Sequence, residues 1–236
     1  MNQPFLSVVI PAYNEAERIS STLEEVAGFL SNRAYEWEVV VADDGSTDAT
    51  AGRVAEWAAR EHRVRLVRLQ HGGKGWAVKQ GMLAARGRYR FMCDADLSMP
   101  VEHLERFLPP RLEGYHIAIG SREIPGSRRI GEPWGRRQMG KVFRSLVRLT
   151  VLPGIRDSQC GFKCVEGHTA DALFTDLSLK GFSFDVELLV MSHRRGLRLV
   201  EVPIDWYYRS QSKIRPLRDA RRMLADVLRL WRSPPS

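Results

Sequence analysis

Long apolar runs are missing from this 236-residue sequence. None approaches the roughly 20 residues that cross a bilayer, so no spanning helix is expected. The opening stretch, MNQPFLSVVIPAYNE, has no basic region and no cleavage site, and it does not read as a signal peptide. Cysteine is sparse. Cys93, Cys160 and Cys164 are an odd set that suits a reducing cytoplasm, and no second Cys/His pair completes a zinc site. Burial is the expected fate of all three. Two phosphate-binding signatures are absent as well. Without G-x-x-x-x-G-K-[ST] the chain is not a P-loop protein, and without G-x-G-x-x-G after the first strand a dinucleotide dehydrogenase is disfavoured. Nor does the N-terminus carry the Gly-rich signature of a sugar-nucleotide pyrophosphorylase.

Positive charge is what the sequence has in excess. Its net charge is +8, a balance that favours nucleic acid, anionic membrane or phosphorylated ligands. The charge gathers in residues 122–148 and 207–232. No nucleic-acid-binding motif accompanies it, so nucleic acid is not expected as a partner.

Short apolar runs rich in β-branched residues mark strands at 5–10 and 37–42, with further strands expected at 64–69, 89–93 and 116–120. Between the first two, Ile19, Leu23, Val26 and Leu30 recur at helical spacing, and Asn14 with Glu17 suggests a capping box. Helices are expected at 48–61, 74–86 and 100–108, with Ser46 or Thr47 capping the first and Pro100 in the opening turn of the last. Repeated βαβ units imply an α/β fold with a mostly parallel, doubly wound sheet. There is no internal repeat and no low-complexity linker, so one domain spanning 1–236 is expected.

Ligands of such sheets bind beyond the carboxyl ends of the strands. That rule selects PAYNE (11–15), DDGSTD (43–48), HGGKG (71–75) and DADLS (94–98). In an extended chain Asp94 and Asp96 point the same way, and two adjacent carboxylates repel unless a cation or a proton is shared. A hard divalent ion, Mg2+ or Mn2+, fits them and leaves positions for phosphate oxygens; a solvated turn is the alternative. Asp43 and Asp44 can accept from a base N–H or a ribose hydroxyl. Lys74 can reach a phosphate or a carboxylate.

In order and spacing, VVIPAYNE, VVVADDGSTDAT, GGKGWAVKQG and DADLS resemble a family-2 glycosyltransferase of the GT-A type. Further on, GSRE (120–123), GIRDSQCGFK (154–163), GFSFDVELL (181–189), EVPIDWYYR (201–209) and SK (212–213) are similar to polyprenyl-phosphate glycosyltransferases. RDSQCGFK and FDVELL resemble the dolichyl-phosphate β-glucosyltransferase branch most, and the mannose synthases less.

The resemblance implies a GT-A (Rossmann-like) sheet flanked by helices, with C-terminal amphipathic helices. Residues 1–120 would be the nucleotide-sugar half and 121–236 the acceptor and membrane-facing half. It implies metal-dependent, inverting transfer of a hexose, glucose from UDP-glucose, to a polyprenyl phosphate. A GDP-mannose donor or a soluble acceptor is the alternative. Pro11, Ala12, Tyr13 and Glu15 would hold the nucleotide, Asp44 the base and Asp94 the ribose or sugar side, with Asp96 on the metal. Ser98 stands where the mannose synthases commonly carry Gln. Arg122 and Arg136 would grip the acceptor phosphate, and Lys213 would close over the donor diphosphate. Asp185 would orient an arginine or the sugar hydroxyls, or form a structural ion pair; Glu187 falls on another side of its helix.

A lipid acceptor requires contact with a membrane. In RRQMGKVFRSLVRL the residues Met139, Val142, Phe143, Leu146, Val147 and Leu149 form an apolar face flanked by Arg136, Arg137, Lys141, Arg144 and Arg148. In PLRDARRMLADVLRLW, Leu217, Leu224, Val227, Leu228 and Trp231 lie beside Arg218, Arg221, Arg222 and Arg229. Such helices lie in an interface, where apolar burial and attraction to anionic lipid add together. A peripheral enzyme on the cytoplasmic face of a membrane is the expectation.

Overall fold

The computed structural model describes residues 3–209 and 216–232, apart from the side chains of 136, 139 and 216–221. Four parallel strands form one side of the sheet: β1 (Leu6–Ala12), β2 (Trp37–Asp43), β3 (Val64–Arg68) and β4 (Tyr89–Met92). Helices α1 (Ile19–Ser31), α2 (Thr50–Arg60) and α3 (Lys74–Ala84) connect them in turn. Alternation along the strands explains the layering. Val8, Ile10, Val39 and Val41 pack with Ile19, Leu23, Val26 and Leu30 of α1 on one face. Val9 and Val40 pack with Val78 and Met82 of α3 on the other. Both faces are covered, so β2 is buried along its whole length, Glu38 and Asp43 included, around the apolar run Val39–Ala42.

The sheet continues through β5 (Ile117–Ser121), β7 (Lys163–Glu166) and β8 (Leu199–Pro203), in the order β3-β2-β1-β4-β7-β5-β8. Only β7 runs against its neighbours. Reversing direction at β7 and again at β5 makes β5 parallel to β4, so the C-terminal ends of β1 to β5 share one edge. A second, two-stranded sheet pairs β6 (Arg128–Ile130) with β9 (Asp205–Tyr207). Helices α4 (Trp134–Thr150), α5 (Gly167–Asp176), α6 (Phe184–Arg194) and α7 (Pro216–Arg232) complete the described chain.

Some local expectations give way to tertiary contacts. Helix α1 begins at Ile19 with no side-chain cap, and Asn14 bonds across to the next strand-end loop instead. Neither Ser46 nor Thr47 caps α2; Asp48 Oδ1 accepts the Thr50 N–H at 2.9 Å. The segment after Pro100 is a 3-10 helix, Val101–Phe107. All three cysteines are buried and free, as expected.

The two basic helices divide their apolar residues between core and surface. On α4, Val147 is buried and Phe143 packs beside it, while Trp134, Val142 and Leu149 are 76%, 72% and 80% exposed. Arg144, expected to flank the apolar face, turns inward. It is buried because its guanidinium meets Glu123 at 2.7 Å. On α7, Val227 is buried and Leu224, Leu228 and Trp231 are exposed along one side. No described helix is long and apolar enough to cross a membrane.

Candidate functional site

The strand-end loops are stitched to one another. Asn14 adopts a left-handed backbone at φ 52°. Its N–H donates to Ser46 Oγ at 2.9 Å, and its Oδ1 accepts from the Thr47 N–H at 2.8 Å. The Glu15 N–H donates to Thr50 Oγ1 at 2.8 Å, and its carboxylate pairs with Arg18. Pro11, Ala12 and Tyr13 are thereby fixed beside the loop that follows β2. In that loop Asp43 Oδ2 accepts the Ser46 N–H, while its Oδ1 is buried with no protein partner among the described residues. Such an oxygen is suited to a ligand hydroxyl or N–H.

Asp44 builds the third loop. Its two oxygens accept the Gly72 and Gly73 N–H groups at 2.8 and 2.9 Å, and Oδ2 also lies 2.9 Å from His71 Nδ1. His71 in turn stacks on Tyr13 with ring centroids 4.4 Å apart. Asp44, expected to meet the base, thus spends both oxygens on this loop, and its side chain is 3% exposed.

Lys74 begins α3 directly after Gly73, and its Nζ lies 2.7 Å from Asp94 Oδ1. These side chains are 26% and 27% exposed, so the pair is open to a ligand. Burial works against the Lys74 ammonium, but Asp94, Asp185 and Asp96 outweigh it and raise its pKa. Asp96 follows two residues on, with Oδ1 accepting the Ser98 N–H at 3.0 Å. Ser98 is buried, and its carbonyl accepts from Tyr207 N–H at 2.7 Å. Its role here is to shape the turn.

A floor lies under this row of charges. Gly161 passes so close that a Cβ there would sit 2.2 Å from Asp94 Oδ2. Lys163 is fully buried, and its Nζ donates to the Cys160 carbonyl and to Asp185 Oδ1, the latter at 2.5 Å. Asp185 is therefore in an ion pair with a lysine, and among the described residues no arginine is its partner. Burial pushes its pKa up, opposed by Lys163 and Lys74. Glu187, expected to face elsewhere, is also buried: it accepts the Ser178 and Leu179 N–H groups and fixes the chain entering α6. Sequence reasoning assigned no role to Gly161 or Lys163, although both lie within the quoted RDSQCGFK.

Arg122 follows β5 at the same edge. Its Nε and Nη2 donate to Asp157 at 2.7 and 2.8 Å, and its guanidinium carbon lies 5.3 Å from the Trp206 ring centroid. That fork is occupied by protein, so an acceptor phosphate could meet only the opposite edge of the guanidinium. Burial opposes ionisation of Asp157, but the Arg122 charge and its hydrogen bonds prevail and hold the carboxyl well below the usual range. Arg136 stands in the first turn of α4, with its side chain outside the described atoms. Lys213 lies outside the described residues.

The donor set at Asp94 and Asp96 is hard and anionic. Among the described residues no group of three metal-binding side chains gathers. Two carboxylates without a protein cage suit an ion that takes its remaining ligands from phosphate and water, which is how Mg2+ commonly binds. The residues present therefore fit a metal held jointly with a diphosphate.

Comparison with known proteins agrees with this arrangement. Residues 7–165 match the profile described as "Glycosyl transferase family 2". A dolichyl-phosphate beta-glucosyltransferase of Drosophila melanogaster is 36% identical over 96% of this chain and 74% of its own length. The Saccharomyces cerevisiae protein of that name is 32% identical, over 95% of this chain and 73% of its own. The crystal structure of glucosyl-3-phosphoglycerate synthase from Mycobacterium tuberculosis in complex with Mn2+, UDP and glucosyl-3-phosphoglycerate aligns at TM-score 0.71 and 22% identity. That alignment covers 99% of this chain and 82% of that one, and it shows a shared fold.

Proposed function

The chain belongs to glycosyl transferase family 2, and from that premise we propose that it moves glucose from UDP-glucose to a polyprenyl phosphate of the dolichyl type, inverting the anomeric carbon. Its helix-flanked, mostly parallel sheet is of the GT-A kind, and the chain is a glycosyltransferase. The observation that carries the reading is the row Lys74, Asp94, Asp96 at the mouth of β4, walled by the interlocked loops after β1, β2 and β3. Residues 1–120 form the donor half in this reading, and 121–236 the acceptor half.

Pro11, Ala12, Tyr13, Glu15, Asp43 and Asp44 would enclose the nucleoside, with the orphaned Asp43 oxygen taking one of its donors. Asp94 and Asp96 would hold Mg2+ or Mn2+ against the donor diphosphate. Held there, the ion would neutralise charge on the diphosphate. Lys74 adds a second cation on the same side. An acceptor phosphate is already an anion at neutral pH, so no residue has to abstract a proton from it. The remaining task is to hold two phosphorylated substrates in line against their repulsion. By resemblance Arg122 and Arg136 would grip the acceptor phosphate, and Lys213, outside the described residues, would serve the donor diphosphate.

The acceptor tail calls for a lipid surface. Trp134, Val142 and Leu149 on α4, and Leu224, Leu228 and Trp231 on α7, offer exposed apolar side chains amid basic ones. This arrangement supports peripheral binding to an anionic leaflet, which in this reading is the cytoplasm-facing one.

The test is to supply labelled UDP-glucose and polyprenyl phosphate in detergent with Mn2+ or Mg2+. Label should enter the organic phase, and EDTA should stop it. Label passing only to water-soluble phosphate acceptors would overturn the lipid acceptor.

A further inference from the structure

The turn that carries Asp94 and Asp96 is clamped at its main chain from two sides. On one side the Thr22 hydroxyl of α1 donates to the Ala95 carbonyl at 2.6 Å. On the other the Tyr207 N–H of β9 donates to the Ser98 carbonyl at 2.7 Å. Between the clamps Leu97 has a left-handed backbone, φ 44°, which is uncommon in a residue of its size. Such a conformation persists only where its surroundings over-determine it. The clamps therefore decide where the two carboxylates stand.

Thr22 is buried among apolar neighbours on the inner face of α1. Its hydroxyl has one proton and two oxygens within reach, those of Ala95 and, at 3.0 Å, Arg18. The Arg18 carbonyl already accepts the Thr22 N–H and the Ser21 hydroxyl. No other described residue donates to the Ala95 carbonyl, so the proton belongs there. Ala95 is itself buried, and without the hydroxyl its oxygen would be an unsatisfied acceptor. Helix α1 also grows out of the PAYNE loop, the Ile19 N–H bonding the Glu15 carbonyl at 2.9 Å. One element thus reaches from the loop after β1 to the acidic turn after β4.

We infer that Thr22 is a positioning residue for the divalent cation. Its hydroxyl fixes the peptide between Asp94 and Asp96, so that both carboxylates are held for a metal shared with the donor diphosphate. Thr22 is not catalytic, since its hydroxyl bonds only main-chain oxygens. Groups that orient metal ligands from behind are commonly worth ten- to a hundredfold in metal affinity.

The inference rests on the metal reading above, and three variants test it. Thr22→Ser keeps the hydroxyl. Thr22→Ala removes it. Thr22→Val puts a methyl carbon in its place, which does not approach an oxygen closer than about 3.3 Å, so the turn is pushed away. Calorimetry gives the UDP affinity of each folded protein in Mn2+ and again in EDTA, and the ratio of the two is the metal's contribution.

Thr22→Ser should keep that ratio within about threefold of native, Thr22→Ala should lower it about tenfold, and Thr22→Val up to about a hundredfold. Affinity in EDTA should be the same for all four proteins. A folded Thr22→Val with the native ratio would overturn the inference. So would a loss that is equal in Mn2+ and EDTA, because a threonine that merely supports the fold moves both affinities or neither. Should Thr22→Val not fold, the contrast between Thr22→Ala and Thr22→Ser carries the test, and equal ratios in those two would contradict the inference. Native protein that binds UDP equally in Mn2+ and EDTA overturns the metal reading and this inference together. Native binding that needs Mn2+, with unchanged variants, overturns the inference alone.

Discussion

Gly161 and Asp94 are in contact across the sheet, so close that a single methyl on Gly161 would lie 2.2 Å from the Asp94 carboxylate oxygen. The atom it meets is the end of a movable side chain, and the backbone need not shift. Gly161→Ala should therefore fold with a nearly native melting temperature, but with Asp94 turned out of line. We predict a fall in kcat/KM of about ten- to a hundredfold, equivalent to about 1.4–2.7 kcal/mol. Steady-state kinetics beside a thermal melt would separate the two effects.

The first half of the chain was legible because its signals are local. The strands β1, β2 and β4 are buried on both faces, so composition alone marks them, and a parallel sheet places the loops after them on one edge. The second half was less so. Strand β7 is four residues long and begins with a lysine, which reads as surface until Asp185 is seen to bury it. Strands β6 and β9 have three residues each and gain their order from pairing with each other. Arg122 was read as a grip on the acceptor phosphate and Arg144 as a flank of the apolar face, because their partners Asp157 and Glu123 cannot be assigned from spacing. Asn14 looked like a helix cap because capping residues and cross-loop acceptors are the same residue types.

Asp96 tests the metal. Asp96→Ala should abolish transfer and remove the Mn2+ dependence of UDP binding, while circular dichroism and melting stay native. Full turnover in this variant, or native turnover undiminished in EDTA, would contradict the metal assignment.

Asp157 predicts an acid dependence of stability. Its pKa in the folded protein lies below the ordinary carboxylate value, chiefly because the attraction of Arg122 overcomes burial. As pH falls below about 4 the unfolded chain takes up a proton here and the folded one does not, so stability falls by about 1.4 kcal/mol per pH unit from this group. The contribution is fully present above that pH. The stability gap between native protein and Asp157→Asn, measured by urea unfolding, should therefore be constant from pH 7 to 5 and narrow towards pH 3.

Val142 and Leu149 test the lipid surface. Both are exposed on α4, and neither supports the core. Val142→Asp with Leu149→Asp adds negative charge and removes apolar area, so sedimentation with anionic liposomes should fall at least about tenfold, a loss near 1.4 kcal/mol. UDP binding in solution should not change. Equal cosedimentation of native and variant protein would place the membrane contact elsewhere.

The central claim is transfer of glucose from UDP-glucose to a lipid phosphate, and competition between donors tests it most directly. UDP-glucose and GDP-mannose, labelled with different isotopes, are offered at equal concentration with polyprenyl phosphate and Mn2+, and the lipid-linked product is counted for each label. The account predicts lipid-linked glucose in large excess over mannose. Lipid-linked mannose in excess, or no lipid-linked sugar from either donor, would contradict it.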